Sequence, residues 1–167
     1  MRLSPGQLRL ALNLWPPFLG AGIRVRRISA DWRYVRVELR HGWLNTGAFR
    51  THFGGSLYAM TDPFPALQLV HLLGPDYLVW DRAASIDYLK PGRGRVHVES
   101  RVAAEEVERL RAAAAGGEKQ LPVYAVEVID QSGEVVARVR RTVYVRLRRE
   151  RRPAPVASPA AVPGGCP

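Results

Sequence analysis

Residues 51–65, THFGGSLYAMTDPFP, hold the side chains best suited to chemistry. Gly54 and Gly55 stand where a helix begins, so their backbone N–H groups are unpaired and no Cβ blocks approach. Such a helix start favours negative charge and could hold the oxyanion of a reacting carbonyl. Asp62 follows Gly55 by seven residues, which is roughly 10 Å along a helix. Pro63 and Pro65 remove ladder hydrogen bonds and should bend the helix around Asp62. A carboxylate at such a bend could act as a base. A purely structural alternative also fits: glycines that let the helix pack tightly on a strand, and a solvated Asp62.

Other chemical candidates are weaker. His41, His71 and His97 show no metal-ligand spacing with a carboxylate, so no metal is expected. Ser56 lacks the G-x-S-x-G surroundings of a nucleophile elbow. Ser85 could face a ligand. Asp81 and Asp87 read more simply as ion-pair partners of Arg82 or Lys90. Cys166 is the only cysteine, so no intramolecular disulfide can form and cysteine catalysis is improbable there.

The elements that must position these residues follow from periodicity. Ser4-Pro5 caps a helix over 4–15 that Pro16-Pro17 should end. Residues 22–29 and 34–40 alternate as strands, with Val35, Val37 and Leu39 on one face. Residues 41–50 read as a loop. Phe53, Leu57, Met60, Phe64 and Leu67 then form one helical stripe, while Gly54, Tyr58 and Asp62 lie on another face. Strands are expected over 77–89 and 96–102, and a helix over 103–117 with a glycine stop. Residues 123–130 and 134–148 form a hairpin about Gln131-Ser132-Gly133. The charged side of the last segment suggests an edge strand blunted by arginines. One antiparallel sheet wrapped around a long central helix buries every apolar face, an α+β arrangement. It occupies 1–149 as one domain, and the Pro/Ala/Gly-rich stretch 150–167 reads as a disordered tail.

Composition narrows the partners. The 167 residues, 47% hydrophobic and 24% charged, suit a globular domain with a real core. No apolar run approaches a membrane span, and the first residues lack a signal peptide's long apolar core. A cytoplasmic location fits. The net charge is +10, and five arginines and one glutamate from Arg146 onward supply part of it. The remainder is still basic, so an anionic partner is plausible, against a solvated surface with none. Nucleic acid is the weakest option, because few aromatics interleave with the arginines.

The run N-x6-H-F-G-G-x6-D, with SIDYLKPGRG, VYAVEVID-x2-GEVVARV and TVYV after it, resembles the hotdog-fold acyl-CoA thioesterases. It is most similar to a bacterial subgroup described as tetrameric thioesterases or domains of unknown function. The resemblance covers roughly residues 15–147. It implies hydrolysis of a thioester to free acid and CoA, with Asp62 as general base or nucleophile. It also implies carbonyl binding by the amides of Gly54 and Gly55, with Asn45 and His52 assisting. Relatives commonly read His-Gly-Gly, whereas Phe53 separates His52 from the glycines here. No cofactor is implied beyond the CoA thioester substrate. A homodimer or homotetramer with sites between subunits is implied. Tyr58 and Ser85 are candidate substrate contacts, and Arg82, Lys90, Arg93 and Arg95 candidate contacts to CoA phosphates. Two alternatives keep the fold: a non-catalytic acyl-CoA binding or sensing protein, and a hydratase or dehydratase using a histidine with the helix carboxylate.

Overall fold

The computed structural model describes residues 3–152. Six antiparallel strands form one sheet in the order β1-β2-β4-β5-β6-β3. They are β1 (Ile23–Ile28), β2 (Tyr34–Arg40), β3 (Tyr77–Tyr88), β4 (Arg95–Arg101), β5 (Val123–Asp130) and β6 (Val135–Leu147). The sheet curls about a central helical segment, the arrangement that the alternating pattern demanded. Its inner face carries Val35, Val37, Val98, Val128, Val139 and Val143, all buried. Period-two alternation puts their polar neighbours outside.

The central segment is two helices, α3 (Gly54–Ala59) and α4 (Phe64–Leu73). The break falls at 60–63, where Pro63 and Pro65 were expected to bend it, and the Asp62–Pro63 bond is cis. Leu57, Met60 and Phe64 are buried in the main core, with Leu67 partly buried beside them. Phe53 does not belong to this stripe. It caps α3 in an extended conformation and is 59% exposed, because the helix begins one residue later than the spacing suggested. Gln68 of α4 is buried. It donates to the Trp32 carbonyl (3.0 Å) and accepts from Ser100 Oγ (2.6 Å), which ties the helix to the sheet.

Two further points go beyond or against expectation. The N-terminal helix α1 (Pro5–Leu14) does end before Pro16-Pro17, but these prolines also open a second helix, α2 (Pro16–Ala21). Proline suits a first helical turn, whose N–H groups lack intrahelical partners anyway. The arginine-rich β6 is no edge strand, for it lies between β5 and β3, and β1 and β3 form the edges. The remaining helix, α5 (Ala104–Ala114), packs against β6 and α4. Residues 149–151, of which 150 and 151 were expected in the tail, form a 3-10 turn pinned by an Arg151–Asp76 ion pair at 3.0 Å. Residues 153–167, including Cys166, lie outside the described residues. Among the described residues no helix is long and apolar enough to cross a membrane.

Candidate active site

Asp62 stands in the break between α3 and α4, with its side chain 48% exposed. Its carboxylate accepts from Arg141 Nη1 at 3.0 Å. Arg141 comes from β6 and is 2% exposed. Sequence reasoning passed it over as one of a run of arginines. The available signal was its parity: 139, 141, 143 and 145 share the inner face, so Arg141 is a cation at an apolar position. The enclosed guanidinium also donates to Thr61 Oγ1 at 3.2 and 3.1 Å and to the Tyr58 carbonyl at 3.4 Å. It lies 4.9 Å from the centre of the Tyr58 ring.

A second carboxylate faces the same cation. Asp81 of β3 approaches Arg141 Nη1 at 3.8 Å, and its Oδ1 is buried with no hydrogen-bond partner. Burial pushes Asp81 up from the usual carboxylate range; Arg141 opposes this and the adjacent Asp62 adds to it. Asp81 therefore pairs with Arg141 rather than Arg82. Asp87 lies opposite Arg138 in the β3–β6 register, and Lys90 pairs instead with Asp130 at 2.9 Å and with Glu134.

The glycines border a different space. A cavity of about 700 Å³ is lined by Phe49, His52, Phe53, Gly54, Gly55 and Leu57, with Tyr88, Leu89 and Lys90 opposite. Gly54 is required by a close approach: a Cβ there would stand 2.9 Å from the Tyr88 hydroxyl. At Gly55 it would meet the Phe53 ring at 2.4 Å. The inserted Phe53 thus folds over the glycine pair as one wall of the cavity. Asp62 does not line it. Tyr88 lies against Gly54 at the cavity, and burial, with Tyr58 beside it, raises its phenol.

Asn45 and His52 are buried beside the helix start. Asn45 donates to the carbonyls of Ala21 (2.9 Å) and Arg40 (2.8 Å) and accepts from Gly42 N (2.8 Å). Its amide is therefore committed to backbone rather than aimed at the cavity. His52 Nε2 is 3.2 Å from the Gly94 carbonyl, and its ring is 4.8 Å from that of His41. Burial, reinforced by His41 and opposed by the Gly94 contact, lowers His52 from 6.5 to about 4. It is neutral near pH 7.

Ser85 is exposed and pairs with Arg140 across the sheet. That places it on the outer face, away from the glycines and Asp62, because a bulge at Asp81/Ala83 resets the alternation. Arg82 sits at that bulge, exposed. Arg93 is exposed on the turn before β4, and Arg95 is exposed at the first position of β4.

Solved structures share this architecture. PA5026 of Pseudomonas aeruginosa, a protein of unknown function described as a probable thioesterase, superposes with a TM-score of 0.73 at 22% identity, over 89% of this chain and 99% of that one. Thioesterase HI1161 of Haemophilus influenzae gives 0.64 at 12%, over 88% and 93%. The E. coli PaaI protein, from the phenylacetic acid degradation operon, gives 0.59 at 17%, over 84% and 91%. The chain shares the hotdog fold of these structures. No curated protein matches its sequence. Residues 7–145 match the model of a domain of unknown function, DUF4442, and the chain belongs to that family.

Proposed function

We propose that the protein hydrolyses an acyl thioester, with CoA as the thiol carrier. The observation that supports this best is the cavity at the head of α3. Its apolar walls suit an acyl chain, and the amides of Gly54 and Gly55 at its mouth have no intrahelical partner. In this reading water adds to the thioester carbon as its proton passes to Asp62. The C–S bond then breaks, and the proton leaves with the thiolate. Direct attack by Asp62, followed by hydrolysis of the anhydride, is the other route. Asn45 and His52 fix the loop behind the glycines, and Tyr58 shapes the approach to Asp62. Arg93 and Arg95 are the better candidates for CoA phosphates, with Arg82 a third. Lys90 is already paired with two carboxylates.

Because Asp62 and the cavity are separate in one chain, the reading includes a homodimer or tetramer that brings them together, and a cytoplasmic place of action. A screen for thiol release across short, long and aryl acyl-CoAs tests it. Asp62→Asn should lower kcat by a factor of about 100 or more; hydrolysis at the parent rate would overturn the assignment.

One observation favours a second reading, an acyl-CoA binding protein without catalysis: Asp62 is already ion-paired. That protein would gain thermal stability with acyl-CoA and release no thiol. A hydratase fits poorly, because His52 is buried and its ring contacts the Gly94 carbonyl.

A further inference from the structure

Among the described residues, Arg141 is the only arginine, lysine, aspartate or glutamate that is buried. Its guanidinium is held from several sides: Thr61, the Tyr58 carbonyl and the Tyr58 ring all engage it. It cannot follow Asp62; Asp62 must follow it. Two carboxylates face this one cation, so one negative charge is left over. As pH falls, Asp81 Oδ1, enclosed and without a donor, is the natural resting place for the first proton that the pair takes up.

Resting on the reading of Asp62 as the reacting carboxylate, we propose that Arg141 is the positioning residue for Asp62 and that Asp81 shares a proton with it. Arg141 holds the exposed carboxylate at one place in the helix break. Asp81, when ionised, places a second negative charge on the same cation. The groups facing the pair are Arg141 from β6, Tyr58 from α3 and Thr61 from the helix break, with Tyr88 beyond Tyr58. A single cation between two carboxylates gives a pair that titrates as a unit, so both members set the pH dependence.

The test is the pH profile of kcat/KM for the parent, Arg141→Gln, Arg141→Lys and Asp81→Asn. Removing the cation should move the acid limb to higher pH and lower kcat more than it changes KM. Removing the second carboxylate should move the limb to lower pH, by about one pH unit. Arg141→Lys keeps the charge but loses the planar fork. It should leave the limb near its parent position while reducing kcat about tenfold or more. A purely structural role would leave all the limbs together, and that result overturns the proposal. If Arg141→Gln does not fold, Asp81→Asn decides alone, since it removes a charge without opening a cavity. Carboxyl carbon NMR titration of the free parent and Asp81→Asn separates this proposal from the thioesterase reading. If no thioester is cleaved yet the remaining carboxylate titrates at lower pH in Asp81→Asn, the function fails and the proton-sharing pair stands. Superimposable titrations overturn the pair whatever the activity.

Discussion

Asn45 and His52 border the candidate site with their polar groups committed to backbone partners. Replacing Asn45 by Ala would strand two carbonyls and one N–H in a buried place. It should cost about 2–3 kcal/mol, read as a lower denaturant midpoint, whether or not activity is assayed. A catalytic but structurally idle Asn45 would leave that midpoint unchanged. His52 makes a prediction in pH. Its folded value lies below its unfolded one, so the fold prefers the neutral ring. That stabilisation is complete above 6.5 and is lost as pH falls toward about 4. Acid unfolding in this window should flatten in His52→Gln, as followed by urea melts at pH 7 and pH 4.5. The positions of Gly54, Gly55 and Asp62, at a helix start and a break, were legible because both are local signals. Arg141 was not, because its partner Asp62 lies 79 residues away and the flanking arginines disguise it.

At the level of elements, α4 is held by two kinds of bond. Leu69 is fully buried between the sheet and α5, and Leu69→Ala should cost about 2–5 kcal/mol. Gln68→Leu keeps the bulk but orphans the Trp32 carbonyl and the Ser100 hydroxyl, at about 1–3 kcal/mol. Adding Ser100→Ala should recover part of that loss, which a double-mutant cycle in urea would measure. Strands were readable from sequence because alternation survives any topology: β2 and β4 fall within a residue of where the pattern put them. Prolines were less so. Pro16-Pro17 carries the same composition whether it closes one helix or opens the next, and only the seating of Phe18 in the core decides.

For the whole molecule, an antiparallel sheet around a helix was legible, but the order of its strands was not. That order depends on pairings such as β2 with β4 across the whole central segment, which no local window contains. The edge strand β3 exposes Trp80 and Tyr88. If β3 or its neighbours join subunits, light scattering should give a mass that is a multiple of 18.6 kDa; a monomer at assay concentration would remove the shared-site part of the proposed function. The same order has a consequence for folding. β1–β2 and β5–β6 are hairpins, but Tyr77 pairs with Leu147 and Asp81 with Val143. Such distant closure makes folding slow relative to a helical bundle of the same size. During synthesis, Asp62 and Asp81 emerge well before the strand that carries their cation. A chain halted before β6 would hold two carboxylates in an unfinished interior with nothing between them. Assembly of the charged cluster is thereby tied to completion of the sheet.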